Sequence, residues 1–323
     1  MSGLFDEVLL CPACRGGRPE RGEEAYACPA CGRSYPVIEG MPRLLEDVPE
    51  GSRQVQRVFD FEHRRYDDSW YTRFEPRLVD QFLEECELPA EFFRGKRVLD
   101  AGCGSGRWSY ALAELDADVV AFDLTSGGIE MAHEQLGDRD NVSICQADLF
   151  EPPFAPESFD FVMSWGVLHH TPDTRTAFRS IAPLVKAGGT LFVMVYERIY
   201  PVRLFGTNLL RAALRRVSDE QRYRFCSHLV IRNPWLARLL NPFLMIAHYD
   251  PNTATVDPQT LQFGLFDAYS PRYNHVHTHA EVRKWFEEAG FGEVTSFGSR
   301  GSVRARGTRE VVPDRPQALE AHG

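Results

Sequence analysis

The sequence predicts an α/β domain, a largely parallel sheet flanked by helices, behind a small cysteine-bound segment. Three observations predict it. First, RVLDAGCGSGRW at residues 97–108 carries an apolar strand into a helix through Gly102, Gly104 and Gly106. Second, apolar runs of strand length alternate downstream with helical patterns, the arrangement of βαβ units. Third, Cys11, Cys14, Cys28 and Cys31 form two CPAC pairs near the N-terminus.

Composition bounds the class. The chain has 323 residues, 43% hydrophobic and 25% charged, enough to bury a sizeable core. No apolar run approaches the roughly 20 residues that span a bilayer, and MSGLFDEVLL has no basic region ahead of its apolar residues. A cytoplasmic address with no membrane partner is therefore expected. A formal net charge of -10 weighs against a nucleic-acid surface, which needs clustered positive charge.

In chain order, the two CPAC knuckles enclose a charged loop at residues 15–27. Four thiolates from two knuckles suit a tetrahedral zinc ion, with every ligand position filled and none left for chemistry. Structural Zn2+ is the expected role, and so short a segment needs metal to fold. Two disulfides or idle thiols are the alternative, disfavoured in a reducing compartment. Cys86, Cys103, Cys145 and Cys226 are scattered and read as small buried residues. Residues 46–56 are polar, contain Pro49 and Gly51, and read as a linker. The aromatic-rich run at residues 58–88 reads as two helices before the first strand.

At the glycine turn, a backbone free of side chains lets a ligand lie against main-chain N–H groups and the positive end of the next helix. This is a nucleotide-cofactor cradle. Its GxGxG spacing, with Asp100 two residues ahead, differs from the GxGxxG of dinucleotide folds. WSYALAEL then reads as a helix and DVVAFDL as a second strand ending in Asp123, placed to accept ribose hydroxyls. IEMAHEQL gives a helix, VSICQADLF a third strand ending in Asp148, and FDFVMSW a fourth strand. A turn with Leu168, His169 and His170 follows, then a helix, then Gly188 and Gly189 leading into a fifth strand.

From about residue 96 to 197 this order and spacing resembles the class I S-adenosylmethionine-dependent methyltransferases. The resemblance implies a Rossmann-like seven-stranded sheet of order 3-2-1-4-5-7-6 and S-adenosylmethionine as cofactor. It implies cofactor contacts from Asp100, Gly102, Gly104 and Gly106 in the turn, and from Asp123 with Leu124 at the ribose. Asp148 with Leu149 falls at the adenine, and Trp165 against the cofactor. An upstream helical segment that closes over the cofactor makes Phe61, Tyr66, Trp70 and Tyr71 further candidates. The cysteine segment, with its closing SYPVIEGMPRLL, resembles small zinc-ribbon proteins that occur as methyltransferase activator subunits, and the N-terminal finger of certain ribosomal-RNA guanine methyltransferases.

Beyond Glu197, LFGTNLLRAALRRV and WLARLLNPFLMIAHY read as helices inserted after the fifth strand, at about residues 198–278, forming a substrate lid or a homodimer surface. Arg211, Arg215 and Arg216 read as a solvated helix face, with a phosphate contact as the alternative. Asp267, Tyr269, Tyr273, His275, His277 and His279 crowd a loop before the last helix, for which Thr278 is the natural N-cap. This loop loosely resembles those of bacterial methyltransferases that act on sugars and other small molecules. GEVTSFGSRGSVRARG supplies the last two strands, and the tail from Thr308 is expected to be disordered. The expected domains are a ribbon at 1–46, linker and cap helices at 47–96, the methyltransferase domain at 97–307 and a tail at 308–323.

Methyl transfer from a sulfonium is an in-line displacement that needs contact, dryness and, for a hydroxyl acceptor, a base near neutral pKa. His169 and His170 are the first candidates; His275 and Asp267 are the second. The leading expectation is O-methylation of a small-molecule acceptor, a sugar or secondary metabolite. An RNA base methyltransferase gripping nucleic acid through Arg15, Arg18, Arg21 and Arg33 is the alternative, opposed by Glu20, Glu23 and Glu24 beside them. A cofactor-holding scaffold without catalysis is a third.

Overall fold

The computed structural model describes residues 3–45, 48, 50–65, 74–198, 200–254, 256–298 and 301–311. Helix α1 (Gly3–Val8) precedes a meander of short strands, β1 (Glu20–Arg21), β2 (Ala25–Ala27), β3 (Ser34–Ile38) and β4 (Met41–Leu44). Two helices follow, α2 (Glu50–Arg65) and α3 (Arg77–Cys86). The alternating part runs β5 (Arg97–Ala101), α4 (Arg107–Glu114), β6 (Asp118–Asp123), α5 (Ser126–Leu136), β7 (Val142–Ala147), β8 (Phe159–Trp165), α6 (Thr174–Ile181) and β9 (Val185–Tyr196). The insertion holds α7 (Pro201–Leu214), α8 (Asp219–Ser227), β10 (Val230–Ile231), α9 (Pro234–Leu240), β11 (Ala247–His248) and α10 (Pro258–Tyr269). The chain returns through α11 (His279–Glu288), β12 (Phe291–Phe297) and β13 (Ser302–Arg309).

One sheet has the order β1-β2-β3-β4-β7-β6-β5-β8-β9-β13-β12. Its last seven members reproduce the expected order 3-2-1-4-5-7-6. The central strands are buried on both faces, as parallel strands between helix layers must be. The sheet is eleven strands long rather than seven because β4 adds parallel to β7, with Arg43 opposite Gln146 and Leu44 opposite Ala147. An edge strand left open would present unpaired N–H and C=O groups, and the N-terminal segment takes them up.

That segment is welded on by more than β4. Leu10 N donates to Pro153 O at 2.9 Å, Ala155 N to Val8 O at 2.8 Å and Arg15 Nη1 to Pro152 O at 2.6 Å. Phe5 packs edge-on against Tyr26 and Phe154, in a core shared with Leu99, Phe122 and Phe159.

Several boundaries depart from expectation. Helix α2 starts at Glu50, inside the expected linker, because Val58 on its inner face is buried with the core of the insertion. Strand β13 continues to Arg309, where Arg309 Nη1 reaches Val185 O at 2.6 Å, so Thr308 belongs to the sheet and not to a tail. Asp267 and Tyr269 lie on α10 rather than in a loop: Asp257 caps it, Pro258 opens it, and Phe263, Phe266 and Tyr269 are buried along it. The insertion contains a parallel β10–β11 pair as well as helices. Arg211 is neither a solvated face nor a phosphate contact, since it is 3% exposed and donates to the carbonyls of Ala268 and Pro271. Thr278 does cap α11, in a reciprocal pair with Glu281. Tyr66, Trp70, Tyr71 and residues 312–323 lie outside the described residues. Among the described residues no helix is long and apolar enough to cross a membrane.

Candidate active site

A cavity of about 340 Å³ opens at the carboxyl ends of β5, β6 and β8, where the strand order reverses between β5 and β8. Open α/β sheets bind ligands there. Gly102, Cys103, Gly104 and Ser105 form one wall. Gly102 has φ 86°, and a Cβ on it would sit 2.5 Å from Val167 Cγ2, so both backbone and space demand glycine. Gly104 N donates to Asp123 Oδ2 at 2.9 Å, which fixes the turn against the end of β6.

Asp123 lines the cavity and accepts twice more, from Thr125 N at 2.8 Å and Thr125 Oγ1 at 2.7 Å, both on Oδ1. A carboxylate offers about four lone-pair sites. Oδ2 therefore keeps room for one further donor, fewer than two ribose hydroxyls would use. Leu124, Asp148, Leu149 and Trp165 also lie on the wall. Asp148 accepts from Phe150 N at 2.9 Å, and burial pushes its carboxyl above the usual range. Trp165 is aimed by its Nε1–H, which donates to Glu85 Oε2 at 2.8 Å.

Two expected cofactor residues are off the wall. Asp100 lies behind the turn, accepting from Ser109 Oγ at 2.7 Å, with its carboxyl pushed up to about 7 by burial. Gly106 faces α5, where a Cβ would meet Ala132 Cβ at 2.9 Å. One holds the turn and the other lets helices approach.

Helix α2 closes the cavity from the other side, with Gln56, Phe59, Glu62 and His63 on the wall. Gln56 Nε2 donates to Leu124 O at 2.8 Å, and Asp60 Oδ1 accepts from Gly127 N at 2.8 Å, capping α5 from a distant helix. Phe61 points away and packs on Phe266 and Tyr223. Of the aromatic candidates upstream of β5, Phe61 alone is described, and it is off the wall. The i, i+3, i+7 spacing of Gln56, Phe59 and His63 was the signal available.

At the far end stand His170, Tyr196, Asp267 and Glu62. His170 Nδ1 lies 3.1 Å from Tyr273 O, so that nitrogen carries the proton and donates to the carbonyl. Its Nε2 is buried without a hydrogen-bond partner and faces Asp267 Oδ1 at 3.4 Å. Burial holds the imidazole below its ordinary pKa, with Asp267 opposing. Tyr196 OH donates to Asp267 Oδ2. Glu62 Oε2 is buried and unpartnered, and burial followed by Asp267 holds that carboxyl well above the usual range. His169 and His275 are not on the wall. His169 stacks on Tyr196 with centroids 3.9 Å apart, and its carbonyl accepts from His275 N at 2.9 Å.

The four N-terminal cysteines converge separately. Cys11 and Cys31 Sγ are 3.7 Å apart, Cys14 and Cys28 Sγ 3.8 Å, and all four lie within 4.8 Å of one another. Disulfides would need about 2.05 Å, whereas a tetrahedron with metal–sulfur bonds of about 2.3 Å has edges near 3.8 Å. The cluster fits a zinc-ribbon-like segment.

The glycine turn, the acid ending β6, the strand order and the cavity at the switch point define the class I S-adenosylmethionine-dependent methyltransferase fold. A family model described as a methyltransferase domain matches residues 99–193, and this part of the chain is such a domain. An uncharacterized protein of Synechococcus is 34% identical over 108 residues, 32% of this chain and 26% of that protein. Demethylmenaquinone methyltransferase of Staphylococcus aureus is 28% identical over 149 residues, 45% of this chain and 61% of the enzyme. The chain thus spans less than two thirds of the length of these relatives. The solved structure of magnesium protoporphyrin IX methyltransferase from Synechocystis shares 15% identity at a TM-score of 0.42, covering 82% of this chain and 90% of that one.

Replacing Asp123 with Ala removes a charged acceptor from the wall and the anchor of Gly104. Calorimetry should show S-adenosylmethionine affinity reduced roughly 100-fold, in keeping with the 1.5–3 kcal/mol typical of hydrogen bonds to charged groups, while thermal unfolding stays cooperative. Unchanged affinity would remove Asp123 from the cofactor site.

Proposed function

We propose that the protein methylates a hydroxyl of a small molecule, with His170 as general base. The observation that carries this reading is the fixed tautomer of His170, whose Nδ1 is committed to Tyr273 O and whose Nε2 is buried and unpartnered on the cavity side of Asp267. S-adenosylmethionine, when bound, supplies an electrophilic methyl group. His170 Nε2 takes the acceptor proton, and Asp267 stabilises the imidazolium so formed. Tyr196 holds Asp267 in place. Gly102 to Ser105, Asp123 and Leu124, Asp148 and Leu149, and Trp165 hold the cofactor, with α2 excluding water above it. His169, His275, Asp100 and Gly106 act through packing and positioning.

A small-molecule acceptor is supported by the cavity of about 340 Å³ and by the Staphylococcus relative, named for demethylmenaquinone. The RNA reading is weakened at the ribbon. Arg15 is spent on the carbonyls of Pro152 and Phe154, and Arg18 on that of Glu7. Cys11, Cys14, Cys28 and Cys31 hold a structural Zn2+ that fixes the ribbon against β7.

Labelled methyl from S-adenosylmethionine should enter an RNA-free small-molecule extract and not total RNA; label in RNA overturns the acceptor class. His170→Asn should lower kcat roughly 100- to 10,000-fold without changing cofactor affinity. The base works neutral, and burial holds its pKa below the ordinary imidazole value. Wild-type kcat should therefore be flat at neutral pH and fall as pH drops through that lowered value. A variant that keeps the same acid limb would show another group to be responsible. Metal analysis should find one zinc per chain, and its removal should lower Tm and speed amide exchange at Leu44; metal-free protein with unaltered exchange would refute the structural zinc.

A further inference from the structure

The insertion leaves an unusual amount of apolar surface in solvent. Of the eleven large hydrophobic side chains exposed among the described residues, nine lie between residues 200 and 243. On α7, Val202, Phe205 and Leu209 share one face at i, i+3 and i+7, with Phe205 74% exposed. On α9, Trp235, Leu236 and Leu239 project likewise, with Trp235 78% exposed, and Phe243 follows. The segment that follows α9 lies against α7. Arg203 Nη1 donates to Asn241 Oδ1 at 3.2 Å and Met245 N to Thr207 Oγ1 at 3.0 Å, while a Cβ on Gly206 would strike Phe243 O.

Charge here opposes that of the whole chain. The protein carries -10, yet residues 198–218 and 221–249 contain nine arginines and no acid. Four of the nine are not free surface charge: Arg222 pairs with Asp219 at 2.8 Å, Arg224 with Glu220 at 2.9 Å and Arg198 with Glu281 at 3.0 Å, and Arg211 is buried. Arg216, Arg232 and Arg238 are exposed. Tryptophan, phenylalanine and leucine beside arginine is the composition of a surface that lies in a lipid interface. Exposed apolar patches of this kind mark interaction sites.

We propose that the α7–α9 face docks on a bilayer containing anionic lipid. Its arginines complement the headgroups while its aromatic and leucine side chains enter the acyl boundary. A second copy would bring two arginine-rich faces together, which like charge opposes. The expectation of no membrane partner rested on the absence of a spanning segment, whereas this surface would lie on the bilayer. The inference stands on the insertion alone and does not depend on the methyl-transfer reading.

The test is sedimentation of the full chain with phosphatidylcholine vesicles, alone or carrying about one third phosphatidylglycerol. Wild type should pellet with the anionic vesicles, far less with the neutral ones, and be released as salt rises. A Phe205→Glu, Trp235→Glu, Leu239→Glu variant should partition at least about tenfold less, with unchanged cofactor affinity and unfolding. Should that variant misfold, Arg232→Glu with Arg238→Glu must show the same loss. Wild type remaining in the supernatant overturns the proposal. So does equal pelleting of a folded variant, or a wild-type dimer that ignores vesicles and that the variant dissociates.

Discussion

The bond from the Gly104 amide to Asp123 Oδ2 ties the turn after β5 to the end of β6, and the rest of the site is registered against it. Because Asp123 also receives the amide and hydroxyl of Thr125, the start of α5 is fixed by the same carboxylate. Helix α2 then lies on this assembly, with His63 Nδ1 3.3 Å from Thr125 Oγ1 and Asp60 capping α5. Charge-assisted bonds to one ionised group are short and directional, which lets a flexible glycine backbone hold one shape. The floor, edge and roof of the cavity thus share a single electrostatic anchor.

What was legible in the sequence was what is local in the chain. The strand-turn-helix, the acid ending β6, the cysteine pairs and the Thr278 cap are each set by spacing within a few residues, and all are present. The roles of Gly106 and Asp100 were not legible. A glycine that makes room for Ala132 and one that faces a ligand look alike in a GxGxG string. An acid preceding the turn can point to either side of the sheet. Arg211 misled for the reverse reason, since its partners are carbonyls of a turn nearly sixty residues away.

The acceptor end was the least legible part because no segment contains it. Glu62, His170, Tyr196 and Asp267 come from α2, the turn after β8, the end of β9 and α10. Consecutive histidines also diverge. In the short turn at Leu168–His170, His170 faces the cavity while His169 is pressed onto Tyr196 behind it. Adjacent residues on a tight turn point in different directions, so which histidine faces the cavity is decided by the packing of Tyr196 and Phe59, at centroid distances of 3.9 Å to His169 and 5.2 Å to His170.

The addition of β4 to the outer side of β7 has a consequence for how the chain is made. Arg43 and Gln146 pair across about 100 residues, one of the long separations that slow folding. A ribosome delivers the cysteine segment ahead of the strand it must join, which emerges only after β5 and β6. Synthesis and assembly therefore run in opposite orders at this end of the molecule. The cysteine segment waits for β7, and its arrival closes the edge of a sheet that was built without it.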